Sequence, residues 1–204
     1  MAETIGAARE PTAVEAGRGD LRPLSEVLAR AFETDPVHRW ILPSDLHWPR
    51  RAPRMFSALL RERIRHGGVL TTSDCRGAAL WYPPEQAHPF FGDRVALSLR
   101  MLLVLGNRAP EIGRSLGEVV RHRPREPHWY LSVLGTDPQH QGGGVASSLL
   151  RPVLERCDAD ELPAYLESSK PENVPFYERH GFKVVRQVDL AGGPPVWAML
   201  RRVR

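Results

Sequence analysis

The chain has 204 residues, 42% of them hydrophobic, which is enough for one full core and, on length, for one domain spanning 1–204. Its 28 basic and 24 acidic side chains leave a net charge of only +4, and Lys occurs only at Lys170 and Lys183, so a mild, Arg-based excess points away from a nucleic-acid binder. The longest apolar run, "VALSLRMLLVLG" from Val95, is broken by Arg100 and falls short of the roughly 20 residues that span a bilayer, so no membrane association is expected.

The start, "MAETIGAARE", carries acidic residues and no apolar core, which is not a secretory signal; residues 1–10 read as a mobile tail and the location as cytoplasmic. "PTAVEAG" follows as a short strand. In "DLRPLSEVLARAFETDP", Asp20 stands where an N-cap would, ahead of a stripe of Leu24, Val27, Leu28, Ala31 and Phe32 that predicts a helix. A second helix is expected from Trp48 to His66, with Met55, Phe56, Leu59, Leu60 and Ile64 on one face. Arg51, Arg54, Arg61 and Arg65 fall on the other side and read as a solvated face.

"GGVLTTSDCRGAALWYPPE" predicts a hairpin, turning at Ser73 to Gly77 and stopped by Pro83 and Pro84. Residues 89–124 read as a helical insert with several Gly and Pro breaks. Its Phe90, Phe91, Leu97, Met101 and Leu102 are either plain core or apolar walls for an aromatic substrate. "HWYLSVLGTDP" then alternates as a strand, with Trp129, Leu131 and Val133 assigned to one face and Tyr130, Ser132 and Leu134 to the other. Cys75 and Cys157 lack CxxC or His partner spacing, so no metal site and a reduced compartment are expected; Cys157 continues the apolar spacing of Leu149, Leu150, Val153 and Leu154 and reads as a buried hydrophobe.

The strand runs directly into "DPQHQGGGVASSLL", three glycines at a helix entrance. A helix N-terminus offers unpaired N–H groups and the positive end of the dipole, and glycines remove the Cβ atoms that would keep a bulky phosphate away. The spacing is neither Gly-Lys-Ser/Thr nor GxGxxG, which argues against a nucleoside triphosphate and a dinucleotide; a flexible turn with incidental glycines is the plain alternative. After the helix come the strand "LPAYLESS", the helix "NVPFYERHG", and the strands "FKVVRQVDL" and "VWAMLRRV" joined by "AGGPP". Strand, helix, strand implies a parallel crossover between antiparallel hairpins: an α/β (α+β) chain with a mixed central sheet of about six to seven strands flanked by helices. Asn173 precedes the short helix, and Tyr177 sits about one turn further on; alone, they read as an N-cap and a core aromatic.

Taken together, the two constellations resemble the GCN5-related N-acetyltransferase (GNAT) superfamily. "GTDPQHQGGGVA" is similar to its Gln/Arg-x-x-Gly-x-Gly/Ala loop, with Gln141, Gly144 and Ala146 at the diagnostic positions, and "NVPFYERHGF" to its Asn-x-x-x-Tyr-x-x-x-Gly-Phe segment. From about residue 121 onward the chain resembles the puromycin N-acetyltransferase branch most; before that the likeness is faint. The resemblance implies acetyl-CoA as acyl donor and no metal. The pantetheine arm would lie along Leu134, Gly135 and Thr136, and the pyrophosphate on Gln141, Gly142, Gly143, Gly144, Val145, Ala146 and Ser147. It further implies direct attack by a primary amine, Asn173 steadying the pantetheine side, and Tyr177 protonating the departing thiolate.

The many relatives that carry a Glu on the central strand have no counterpart in "WYLSVL", so Glu167, His128 or a water chain stands as the base, with His88 and the insert's arginines weaker. The acceptor expected is a small-molecule amine of antibiotic or xenobiotic type. The alternatives are a protein lysine or a non-catalytic acyl-CoA sensor, in a monomer or homodimer.

Overall fold

The structure is a computed structural model that describes residues 11–86 and 91–203. The tail at 1–10, His88 and Phe90 lie outside the described residues, as does the side chain of Phe91.

Chain order brings β1 (Ala13–Glu15), α1 (Leu21–Ala31), α2 (Pro36–Ile41), α3 (Trp48–Ile64), β2 (Val69–Thr72) and β3 (Gly77–Tyr82). Two insert helices follow, α4 (Phe91–Leu105) and α5 (Ala109–Arg121), and then β4 (Trp129–Thr136), α6 (Val145–Ala159) and β5 (Ala164–Ser168). The chain closes with α7 (Val174–Arg179), β6 (Lys183–Asp189) and β7 (Pro195–Arg201). The strands form one seven-stranded sheet in the order β1-β2-β3-β4-β5-β7-β6. Only β4 and β5 run parallel, as the crossover through α6 requires, and every other pairing is antiparallel.

Apolar residues collect on both sides of this sheet. On one side α1, α3, α4 and α5 supply Leu24, Leu28, Phe56, Leu60, Val104 and Ile112, which pack with Leu80 and Val133; on the other, Leu149, Leu150 and Val153 of α6 and Tyr177 of α7 meet Trp81, Trp129 and Leu131. Burying a side chain of this size is worth about 1.5–3 kcal/mol, so two helix layers on one sheet account for most of the folding drive.

Three local expectations change. Asp20 precedes α1, but its carboxylate reaches back to accept from Gly17 N–H at 2.8 Å and makes no side-chain cap to the helix. A short helix, α2, stands where none was expected, started by Asp35 as a side-chain N-cap and Pro36 at its first turn. The third change is on β4. Leu80 pairs with Val133 while Trp81 pairs with Leu131, so Ser132 is an extra residue, a β-bulge. The bulge reverses the alternation. Leu131 packs on the α6 side, whereas Val133 packs on the α1 side, and a Cβ added at Gly135 would meet Leu28 Cδ2 at 2.7 Å. Val133 therefore does not share a face with Leu131, because one inserted residue flips every side chain after it.

Candidate functional site

Beside the bulge the sheet opens. β4 and β5 are paired only at Trp129, Tyr130 and Leu131, opposite Ala164, Tyr165 and Leu166, although both strands continue further. From Ser132 onward β4 has no β5 partner, and its main-chain groups there line the edge of a cleft. The cleft widens into a cavity of about 720 Å³ whose wall includes Ser132, Val133 and Leu134 of β4, Glu167 of β5, Asn173 and Tyr177. Apolar residues cover the rest, with Met101 and Leu105 from α4 and Ile112 and Leu116 from α5. The insert helices thus roof the sheet opening, and Leu97, Met101 and Leu102 do line the cavity.

The glycine loop lies past the far end of β4. Gly142 and Gly144 both have φ +78°, a left-handed backbone that favours glycine, and a Cβ at Gly142 would meet nothing within 4 Å. Gly144 is the N-cap of α6, and no side chain caps that helix. Its first backbone bond runs from Ser148 N–H to Gly144 O at 3.0 Å, so the preceding N–H groups have no helical acceptor. Gln141 folds back to Thr136 O at 3.4 Å. An open loop, forward-pointing donors and the positive end of a 15-residue helix make a set of groups that fits a diphosphate.

His180 closes α7 onto this helix end. Its Nδ1–H donates to Phe176 O at 2.8 Å, leaving Nε2 to accept the Ser147 hydroxyl at 3.1 Å. Loop and cavity are thereby tied through one short helix. Asn173 occupies the N-cap position of α7 without making the expected side-chain cap, and it lines the cavity. Tyr177 is 8% exposed, lines the cavity, and its hydroxyl has no hydrogen-bond partner among the described residues. Burial, with the Asp35 carboxylate adding to it, pushes the phenol well above its ordinary value.

Glu167 faces the cavity from β5 but is not free: Arg123 Nε donates to Glu167 Oε1 at 3.0 Å, and the guanidinium lies 3.7 Å from the centre of the Tyr130 ring. Burial raises the Tyr130 phenol, and the Glu167 charge raises it further. His128 donates Nδ1–H to Glu126 O at 2.8 Å, is 5% exposed, and does not line the cavity. Neither cysteine carries thiolate character: burial pushes Cys157 up to about 12, and burial with the nearby Asp20 raises Cys75. Among the described residues no group of three or more His, Cys, Asp or Glu is placed to hold a metal ion.

A second polar group, the pair of Asp35 and the cavity-lining His38, escaped the sequence reading. Asp35, 2% exposed, accepts from His38 N–H at 2.9 Å and from His38 Nδ1 at 2.7 Å, and its other oxygen accepts the Ser169 hydroxyl. Burial alone would raise this carboxyl, but the His38 and Ser169 hydrogen bonds and the His38 charge hold it below its ordinary value. The Asp-Pro pair of "TDPVHRW" is a helix-start signature that could have located α2, though not the direction in which His38 points.

Residues 109–200 match the family model described as acetyltransferase (GNAT) domain. An uncharacterized N-acetyltransferase of Schizosaccharomyces pombe is 27% identical over 175 residues, 80% of this chain and 70% of that protein. The uncharacterized N-acetyltransferase YafP of Escherichia coli is 34% identical over a shorter stretch, 28% of this chain and 35% of its own. Among solved structures, a Corynebacterium glutamicum protein described as "histone acetyltransferase HPA2 and related acetyltransferase" superposes with a TM-score of 0.72 at 24% identity, over 96% of this chain and 97% of that one. Arylalkylamine N-acetyltransferase 2 from Aedes aegypti superposes at 0.63 with 12% identity, over 94% and 98% of the two chains. The fold is that of the GNAT acetyltransferases, the match to the GNAT domain model lies in residues 109–200, and the protein is an N-acetyltransferase.

Proposed function

We propose that the protein transfers an acetyl group from acetyl-CoA to the primary amine of a small, largely apolar molecule, by direct attack without a covalent enzyme intermediate. The observation that carries this reading is the roofed cavity of about 720 Å³, which joins the opening between β4 and β5 to an apolar chamber under α4 and α5. A volume of that order suits a drug-sized ligand. A lysine on a protein surface calls for an open groove, which makes that acceptor the second choice. The resemblance of the sequence after residue 121 to the puromycin N-acetyltransferase branch is the reason to try an aromatic, aminoacyl-like amine among the first.

Bound acetyl-CoA would supply a thioester carbonyl for the amine to attack. The N–H groups from Gln141 to Ser147 would hold the pyrophosphate, with Gly142 and Gly144 letting the backbone approach it. The unpaired edge of Leu134, Gly135 and Thr136 would hydrogen-bond the pantetheine arm as a further strand would, and Asn173 would steady its other side. Main chain near Leu134 would polarise the carbonyl.

Tyr177 would give its proton to the leaving sulfur. An ordinary phenol, near 10, is a weaker acid than a thiol near 8.5, so that transfer is uphill as an isolated step, and burial widens the gap. It completes because the nitrogen that has just bonded to carbon is strongly acidic and returns a proton to the phenolate. The raised phenol stays protonated throughout the neutral range, the state a proton donor needs.

The test is CoA-thiol release from acetyl-CoA with a panel of amines: puromycin, aminoacyl analogues, arylalkylamines, hydrazides and lysine peptides. Turnover confined to small apolar amines is the expected result. Preference for lysine peptides would move the acceptor to protein, and acetyl-CoA binding without turnover on any amine would leave only a sensor.

A further inference from the structure

The acetyl-transfer chemistry needs a base, because an amine reaches the site as an ammonium ion and the cation cannot attack. Glu167, the carboxylate nearest the opened strands in sequence terms, is hydrogen-bonded to Arg123 at 3.0 Å. An ion-paired carboxylate is a poor proton acceptor. The cavity wall contains one better-arranged group.

His38 lies on α2 with its ring against two aromatic side chains, 4.3 Å from the Phe32 ring centre and 5.4 Å from that of Phe56. Its Nδ1 sits 2.7 Å from Asp35 Oδ1. The carboxylate can only accept there, so Nδ1 carries the hydrogen and Nε2 keeps its lone pair. Among the described residues nothing hydrogen-bonds to Nε2, and His38 lines the cavity that also holds Tyr177. Asp35 is fixed in turn: it caps α2, accepts the Ser169 hydroxyl from beyond β5, and is 2% exposed. An oriented imidazole backed by a buried carboxylate, with its free nitrogen toward a substrate chamber, is a proton acceptor built in advance.

We infer that His38, held and oriented by Asp35, is the general base that takes the proton from the acceptor ammonium. This rests on the acetyl-transfer reading above. His38 Nε2 takes one proton from R–NH3⁺ and leaves R–NH2. The nitrogen lone pair forms the N–C bond to the carbonyl carbon, and the C–S bond breaks with its electron pair going to sulfur. Tyr177 gives its proton to that sulfur and regains one from the new amide nitrogen. His38 then releases its proton to water, so that one amide, one thiol and one proton result. His38 is the catalytic residue here, and Asp35 is a positioning residue that acts through it.

The charged and titratable groups around the ring are few. Asp35 touches it; Tyr177 of α7, Tyr130 of β4 and the Glu167–Arg123 pair share its cavity; Lys170 is turned to the Thr34 hydroxyl at 3.0 Å. From the C-cap of α1 and from α3 it meets the rings of Phe32 and Phe56.

The experiment compares wild type, His38→Gln, His38→Ala, Asp35→Asn and Glu167→Gln on an amine that wild type acetylates, with kcat/KM followed against pH and acetyl-CoA affinity measured by calorimetry. His38→Gln is expected to lose on the order of 10²-fold in kcat/KM, to lose the acidic limb of the profile, and to bind acetyl-CoA as wild type does. Added imidazole should restore part of the rate in His38→Ala. Asp35→Asn should lower kcat with little change in KM and weaken the preference for hydrogen on Nδ1 in nitrogen-15 spectra, because the imidazole loses the acceptor that fixes that hydrogen. Nitrogen-15 histidine spectra of the free protein should show hydrogen on Nδ1 of His38, a readout that needs no turnover.

An acidic limb that persists in His38→Gln and vanishes in Glu167→Gln would overturn the inference in favour of Glu167. Hydrogen on Nε2 of neutral His38 would overturn it too, whatever the activity. Wild type that turns over no amine refutes the transfer reading itself, an outcome distinct from an active wild type with an indifferent His38.

Discussion

At the scale of single residues, the cavity wall separates groups that look alike in sequence. Tyr130, Tyr165 and Tyr177 all have phenols raised by desolvation, but the Glu167 charge and hydrogen bond raise Tyr130 and Tyr165 further, whereas for Tyr177 the added charge is that of Asp35. Arg123 stacks on Tyr130, while the hydroxyl of Tyr177 is unengaged and open to the cavity. Tyr177→Phe removes that hydroxyl and little else. Its expected effect is a loss of about 10²-fold in turnover with acetyl-CoA affinity within about twofold of wild type, read from thiol release and calorimetry. Because the phenol is held above its ordinary value, its ionisation lies above pH 10, and kcat should show no decline from it between pH 7 and about 9. Survival of turnover in the variant would remove Tyr177 from the proton-donor role.

At the scale of elements, what the sequence made legible was whatever depends on local period and punctuation. The hairpin at 69–82, the stripe of α1, the glycine entrance to α6 and the crossover to β5 all follow from spacing and turn residues, and they place the two motif segments on adjacent helix ends. The bulge at Ser132 was not legible, because burial still alternates along β4, and only its pairing with β3 reveals that the faces exchange. Nor was the role of Gly135, which precedes the glycine loop and reads as part of it; its missing Cβ makes room for Leu28, Phe32 and Ala31 of α1. The dyad of Asp35 and His38 was illegible for a related reason: its partner Ser169 lies 134 positions away. The glycines of the loop itself divide cleanly. Gly144→Ala meets no close atom, the nearest being Pro11 Cδ at 4.0 Å, but it forces a Cβ into a φ of +78°, a cost of about 1–2 kcal/mol. The expected outcome is a melting temperature lower by a few degrees together with weaker acetyl-CoA binding, measured by calorimetry on the same preparation. Unchanged binding would detach the loop from the pyrophosphate.

At the scale of the whole molecule, the function proposed above draws its acyl-donor groups from the second-half elements, while α2 and α4, which precede the segment matching the family model, join α5 in supplying His38 and the roof. On that proposal the acceptor meets different residues from the donor, and a change in the roof should alter one substrate and spare the other. Gly113 offers that change. It lies on α5 at the cavity rim, its backbone is not left-handed, and nothing lies within 4 Å of where its Cβ would be. Leu in its place removes a helix-interior glycine, worth just under about 1 kcal/mol in propensity, and projects four carbons at the mouth of the chamber. Gly113→Leu should then melt about 2–4 °C higher while raising KM for a small apolar amine at least tenfold, with acetyl-CoA affinity unchanged. A protein lysine reaching in from outside would present only a narrow tether at this rim, so a KM that rises for small amines and holds for lysine peptides would locate the two acceptors on different paths. A KM that holds for both would mean that the chamber under α4 and α5 is not where the amine binds, and would return the insert helices to a purely structural role.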